Sequence, residues 1–229
     1  MKLHRFFIEK LKISNDETTI TDEKTIHQLR RVLRSKVGDR IIITDSGNDF
    51  LIEIEELGTI LRGRVLETKE NNNEPDIKIS LYQSFCKKDK FEWILQKGTE
   101  IGISEFIPVI AERSEKLGLN TERANKILKE AAEQSERGIV PSLLKEQMLD
   151  DALNNVKGEK LFLDRSGESI KDYNVSKKEI SLFIGPEGGW TQEELKLAKE
   201  SGAKIISTGK LVLRTETTGP VAAAIILNK

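Results

Sequence analysis

One cysteine, Cys86, stands in 229 residues. That excludes an intrachain disulfide, leaves no second thiolate for a zinc site, and suits a reducing compartment. Cys86 itself reads as a small core residue. Histidine is nearly as scarce: His4 and His27 are the only two. Neither has a partner at metal-ligand spacing, so no metal is expected. An N-terminal apolar stretch of signal type is missing, and so is any run of about 18 apolar residues. The expectation is a cytoplasmic protein with no membrane partner. Surplus charge is also lacking, since 37 Lys and Arg face 38 Asp and Glu. A binder that holds nucleic acid through overall charge alone is therefore excluded, because phosphate affinity needs positive charge somewhere on the surface. Two tryptophans, Trp93 and Trp190, do not make a base-stacking platform and are assigned to core or interface.

What is present begins with a hydrophobic content of 37%, enough for a buried core. Charge is uneven despite its balance: "HQLRRVLRSKVGDR" carries Arg30, Arg31, Arg34, Lys36 and Arg40 against Asp39 alone. The run is either a local basic patch or a solvated charged face. The segments "RIIITD", "DFLIEIEEL" and "LRGRVLET" alternate and are separated by tight turns, which predicts short strands in a small β-barrel or curled sheet. In the second of them Phe50, Ile52 and Ile54 are expected to share one face. The polar stretch "KENNNEPD" marks a boundary, with one domain over 1–70 and another over 76–229. Beyond it strands and helices alternate, the pattern of an α/β layer fold with a largely parallel sheet. "TERANKILKEAAEQSERG" reads there as a long helix closed by Gly138 and Pro141.

Two loops in this second half carry the chemistry. "FIGPEGGWTQEE" leaves an apolar strand, turns through Gly185, Gly188 and Gly189, and enters a helix whose Thr191 and Glu194 form a capping box. Such a loop at the carboxyl end of a parallel strand is where ligands gather. Neither G-x-G-x-x-G opening a helix nor G-x-x-x-x-G-K-[ST] occurs, so a phosphate cradle is not expected. "TGKLVLRTETTGP" follows a second short strand and sets Leu211, Val212 and Leu213 beside Arg214, Thr215 and Glu216. The start of the last helix is left open around Gly219 and Pro220.

Together "FIGPEGGWTQEE" and "GKLVLRTETT" closely resemble the signature loops of the bacterial small-subunit ribosomal RNA uridine-N3 methyltransferases, a branch of the SPOUT superfamily. The likeness runs along nearly the whole chain, through "HRFF", "HQLRRVLRSKVGD", "QKGTEIG", "ERSE" and "EAAEQSERGIVP" in the expected order. It implies an N-terminal PUA-like β-barrel for RNA and a C-terminal α/β domain tied in a deep trefoil knot. It also implies S-adenosylmethionine as cofactor, small-subunit ribosomal RNA as partner, and a homodimer whose two subunits build each site.

On that resemblance Ile184, Gly185, Gly188, Gly189, Thr208, Gly209, Leu211 and Leu213 are the expected cofactor pocket, because an adenine wants apolar walls and peptide hydrogen-bonding edges. Glu187 either touches the cofactor or braces the loop. Uridine N3 is a poor nucleophile until its proton leaves, so the site needs a base or a positive charge near the ring oxygens. Arg214 is expected to stabilise the ring anion, and Glu216 to accept the proton or orient the arginine; a salt bridge that merely holds the loop is the alternative. Arg5, Arg30 and Arg34 are candidates for phosphate contact, with Gln134 and Arg137 available for RNA or for the dimer. A methyltransferase for another RNA position and a noncatalytic RNA-binding protein stay open as alternatives, because a fold does not fix the target atom.

Overall fold

The computed structural model describes residues 3–115, 118–156 and 158–229. Contacts divide the chain into two compact units, one of Met1–Glu74 with Ala132–Val140, the other of Pro75–Ala131 with Pro141–Lys229.

The first unit is a six-stranded mixed sheet. Its strands are β1 (His4–Phe7), β2 (Ile13–Ser14), β3 (Glu17–Ile20), β4 (Arg40–Asp45), β5 (Asn48–Leu57) and β6 (Leu61–Glu70), in the order β1-β4-β5-β6-β3-β2. Among the described residues of this unit only β1 and β4 pair in parallel. The order leaves β1 and β2 at opposite ends without a pairing between them among the described residues. A short helix α1 (Glu23–His27), capped by Asp22, runs on as a π-helical stretch over Gln28–Leu33. Its Ile26 and Leu29 join Phe6, Ile41, Ile43 and Ile52 in the core. The strand pattern holds: Ile52 and Ile54 are fully buried and the half-buried Phe50 packs on the same core, yet Asp49 of β5 is buried as well. Arg5 explains it: from β1 its guanidinium pairs with the Asp49 carboxylate and donates to the Thr44 hydroxyl on β4 at 2.6 Å.

The second unit carries a parallel sheet of seven strands: β7 (Lys78–Ser84), β8 (Glu105–Ile110), β9 (Ser142–Leu143), β10 (Gln147–Met148), β11 (Glu159–Ser169), β12 (Glu179–Ile184) and β13 (Lys204–Ser207). The order is β10-β8-β7-β12-β11-β13, with β9 also on β8. The helices are α2 (Lys88–Ile101), α3 (Thr121–Gln134), α4 (Leu149–Asn155), α5 (Gln192–Glu200) and α6 (Thr215–Leu227). Phe162 and Phe183 on neighbouring strands, Tyr82 and Trp190 stack through the core on one face of the sheet. Helix α6 packs on α2, β7 and β12. It starts at Thr215, earlier than Gly219, and contains Pro220. Pro220 has no N–H, so the carbonyl four residues back, that of Glu216, receives no bond from it. Gly219 lets the helix lie on the Leu81 side chain, where a Cβ would come within 3.3 Å.

The chain crossing differs from a single cut at 70–76, because Ala132–Val140 belongs with the first unit. Helix α3 stops at Gln134, not at Gly138: Glu136 takes the left-handed conformation at φ 61° and the Arg137 N–H reaches the Ala132 carbonyl at 3.0 Å.

Candidate functional site

Strands β12, β11 and β13 are adjacent and parallel, so their carboxyl ends meet on one edge of the sheet. A cavity of about 200 Å³ opens there. Its walls are the middle of β11 just past its pairing with β12 (Leu163, Asp164, Arg165), the glycine loop after β12, and the segment from Ser207 through Leu213. Seven of the eight residues expected in the pocket line it: Ile184, Gly185, Gly189, Thr208, Gly209, Leu211 and Leu213. Gly188 does not; its carbonyl accepts from Arg113 Nη1 at 3.0 Å, which anchors the loop from outside.

The first loop is fixed from below and behind. Trp190 donates to the Leu163 carbonyl at 2.9 Å and lies against Gly185, where a Cβ would meet the indole at 3.0 Å. Gly189 turns at φ 67°, and Thr191 then caps α5 in a full capping box with Glu194. The other Glu194 oxygen accepts from the Glu112 N–H at 2.8 Å, so this cap also binds the end of β8. The second loop is tied to the first by Thr215, whose hydroxyl donates to the Gly185 carbonyl at 2.5 Å and accepts from Gln83 Nε2 at 3.1 Å. Between those ties Leu211 and Val212 stand 81% and 69% exposed, so they shape the cavity wall without being core.

Arg214 and Glu216 differ in setting. The Arg214 side chain is 82% exposed, whereas that of Glu216 is 14% exposed, with their nearest atoms 4.0 Å apart. Lys90 of α2 stands behind them, with Nζ 3.2 Å from Glu187 Oε1 and 3.7 Å from Glu216 Oε2. Cys86 is buried next to this group; burial pushes its thiol up to about 12, and the carboxylates of Glu187 and Glu216 add to the effect. It is a core residue and not a nucleophile.

A family model described as an RNA methyltransferase domain matches residues 72–227. The ribosomal RNA small subunit methyltransferase E of Bacillus subtilis is 34% identical over 94% of this chain and 92% of its own length. The chain belongs to that methyltransferase family. Its counterpart in Rickettsia conorii is 30% identical over 98% of this chain and 95% of its own. A ribosomal RNA small subunit methyltransferase E from Neisseria gonorrhoeae, solved bound to S-adenosyl methionine, is 28% identical with a TM-score of 0.89 over 99% of this chain and 97% of that one.

For this family member the residues proposed for RNA fall into two groups. Arg30 and Arg34 are exposed beside the π-helical stretch; Arg30 donates to the Gly58 carbonyl at 3.1 Å, and Arg34 closes the turn in the left-handed conformation. Gln134 is also exposed. Arg5 and Arg137 are corrected: both are buried in ion pairs, Arg5 with Asp49 and Arg137 with Glu74 at 2.6 Å, and neither presents its charge to solvent. Asp164 and Arg165 at the cavity are residues that sequence reasoning missed. "FLD" at the end of an apolar strand was the available signal. No His, Cys, Asp and Glu group suited to a metal occurs among the described residues, and no helix described is long and apolar enough to cross a membrane.

Proposed function

We propose that the protein transfers a methyl group from S-adenosylmethionine to N3 of a uridine in small-subunit ribosomal RNA. The observation that carries this reading is the cavity between two tied glycine loops, with an exposed arginine and a buried carboxylate issuing from the segment that forms its wall. The lining fits the cofactor chemically. Apolar Leu163, Ile184 and Leu213 offer faces to an adenine, Gly185 and Gly189 let the ligand approach the backbone without a side chain between, and the carboxylates Asp164 and Glu187 suit a ligand that carries positive charge. When bound, S-adenosylmethionine supplies a methyl group on a cationic sulfur, which departs as a neutral thioether.

The chain's own residues prepare the nucleophile. Glu216, whose side chain is 14% exposed and whose nearest oxygen lies 4.0 Å from Arg214, takes the N3 proton on its carboxylate. The electron pair of the broken N–H bond stays on the ring, spread over N3, O2 and O4. Arg214 lies within reach to offset that charge, which is worth most in a site that excludes water. Arg30, Arg34 and Gln134 bind the RNA backbone and set its register. A SPOUT-type knot formed by the threading of α6, a PUA-like role for the first unit, and a homodimer complete the proposal. Support for the knot is the burial of Thr215 beneath the first loop and the packing of α6 back onto β7 and β12.

Incubating the protein with small-subunit ribosomal RNA or subunits and isotopically labelled cofactor, then digesting to nucleosides for chromatography and mass spectrometry, is the test. Label in 3-methyluridine is expected. Label in another nucleoside moves the target atom, and no cofactor binding by calorimetry sinks the reading altogether.

A further inference from the structure

Strand β11 leaves its ladder at the cavity. Its pairing with β12 ends at Phe162, and along β13 both Leu163 and Glu168 stand opposite Ile206, so Asp164, Arg165, Ser166 and Gly167 bulge out of the β13 register. Gly167 lets the bulge return to the sheet, because a Cβ there would come within 2.5 Å of the Ile205 and Ile206 backbone. Bulges of this kind re-aim side chains beside functional sites. This one brings two opposite charges, Asp164 and Arg165, into the lining of the cavity. Exposure rises along it within three residues, from buried Leu163 through half-buried Asp164 to exposed Arg165.

We propose that this bulge holds the amino-acid end of S-adenosylmethionine, with Arg165 on its carboxylate and Asp164 on its ammonium group. The cofactor reading given above is the premise. Arg165 is the only cation among the residues that line the cavity, and it makes no hydrogen bond or ion pair with any described residue. The carboxylate is the only anionic group the cofactor has, and a guanidinium fork matches its two oxygens. Asp164 is half committed: its Oδ1 accepts from the Ser166 N–H at 2.9 Å and from the Ser166 hydroxyl at 2.7 Å, which fixes the carboxylate and leaves Oδ2 for a ligand. Glu187, the other carboxylate of the lining, is already paired with Lys90 at 3.2 Å. Solvation points the same way. Burying a zwitterion is costly whereas an adenine gains from apolar walls, so the charged end belongs with the exposed residues and the base with buried Leu163 and Ile184. The two ends lie on either side of the sulfur, and a chain that grips both restricts where the methyl group can point.

Calorimetric titration of the full-length protein with related ligands, by displacement where binding is weak, separates this subsite from the rest of the pocket. S-adenosylhomocysteine keeps the amino-acid end, whereas 5′-methylthioadenosine keeps the nucleoside and the thioether and lacks that end. Arg165→Met should weaken S-adenosylhomocysteine about tenfold and leave 5′-methylthioadenosine within about twofold of wild type. Arg165→Lys should recover part of the loss, since it restores the charge without the fork. Asp164→Asn should weaken S-adenosylhomocysteine about threefold or more and again spare the shorter ligand. Equal losses for both ligands would place the bulge against the nucleoside and overturn the inference. So would an unchanged S-adenosylhomocysteine affinity in Arg165→Met, which would leave the carboxylate to peptide N–H groups of the loops. If Asp164→Asn weakens only S-adenosylmethionine, whose sulfur is cationic, Asp164 serves the sulfur and its assignment to the ammonium group fails. A wild type that binds neither S-adenosylmethionine nor S-adenosylhomocysteine would defeat the cofactor reading itself.

Discussion

Arg214 is the residue proposed to stabilise the ring anion, and its exposure makes the test clean. Its side chain fills no core and only flanks residues that line the cavity, so Arg214→Ala should leave folding and cofactor affinity almost unchanged. Single-turnover methylation at saturating RNA and cofactor should fall by about 100-fold or more, the usual loss for one preorganised contact to a developing anion. A wild-type rate would reduce Arg214 to a surface residue. Arg5 and Arg137 are the opposite case, basic residues whose charge is spent internally. In sequence they look like Arg30 and Arg34. The partners that bury them, Asp49 and Glu74, lie 44 and 63 positions away, and no local pattern announces a pairing over that distance.

At the scale of the element, the cap of α5 decides where the first glycine loop ends. Thr191→Ala removes the side-chain acceptor of the Glu194 N–H, and a loss of about 1 kcal/mol in a urea titration is expected. A loss within error would show that Glu194 and its bond to Glu112 hold the cap unaided. This element was legible in sequence because a capping box is local: four consecutive residues contain both partners. The strand–glycine loop–helix order was legible for the same reason. The burial of Asp49 on β5 was not, since alternation counts apolar positions and does not see a carboxylate satisfied from another strand. That carboxylate joins β1, β4 and β5 into a pH-sensitive element. Burial alone would raise its pKa, but hydrogen bonds from Arg5, Thr44 and Asn71 and the charge of Arg5 hold it below the ordinary value. The resulting stabilisation is complete above the unfolded-state value of about 3.9 and is lost as pH falls through the lower folded value. Asp49→Asn should therefore cost about 3 kcal/mol at pH 7, because it strands the buried Arg5 charge, and much less at pH 2. Urea unfolding followed at both pH values measures this, and an equal loss at both would contradict the assignment.

For the whole molecule, a formal charge of −1 and an RNA substrate are compatible only if positive charge is gathered locally. Alanine at both Arg30 and Arg34 should weaken RNA binding and lower the slope of log affinity against log salt by about 1 to 2, leaving cofactor binding intact. An unchanged slope would place the RNA surface elsewhere. The polar stretch before Asp76 suggested a change of architecture, but the return of Ala132–Val140 to the first unit was invisible, because its buried residues are partnered by Asn71 and Glu74 through tertiary contacts. That return limits how the gene can be recombined. A single crossover at residue 75 would pass on the parallel sheet with a nine-residue insert whose arginine has lost its carboxylate and whose Gly138, shaped to fit Asn71, has nothing to fit. The first unit can be exchanged between relatives only as two pieces at once, so Glu74 and Arg137 should be inherited as a pair.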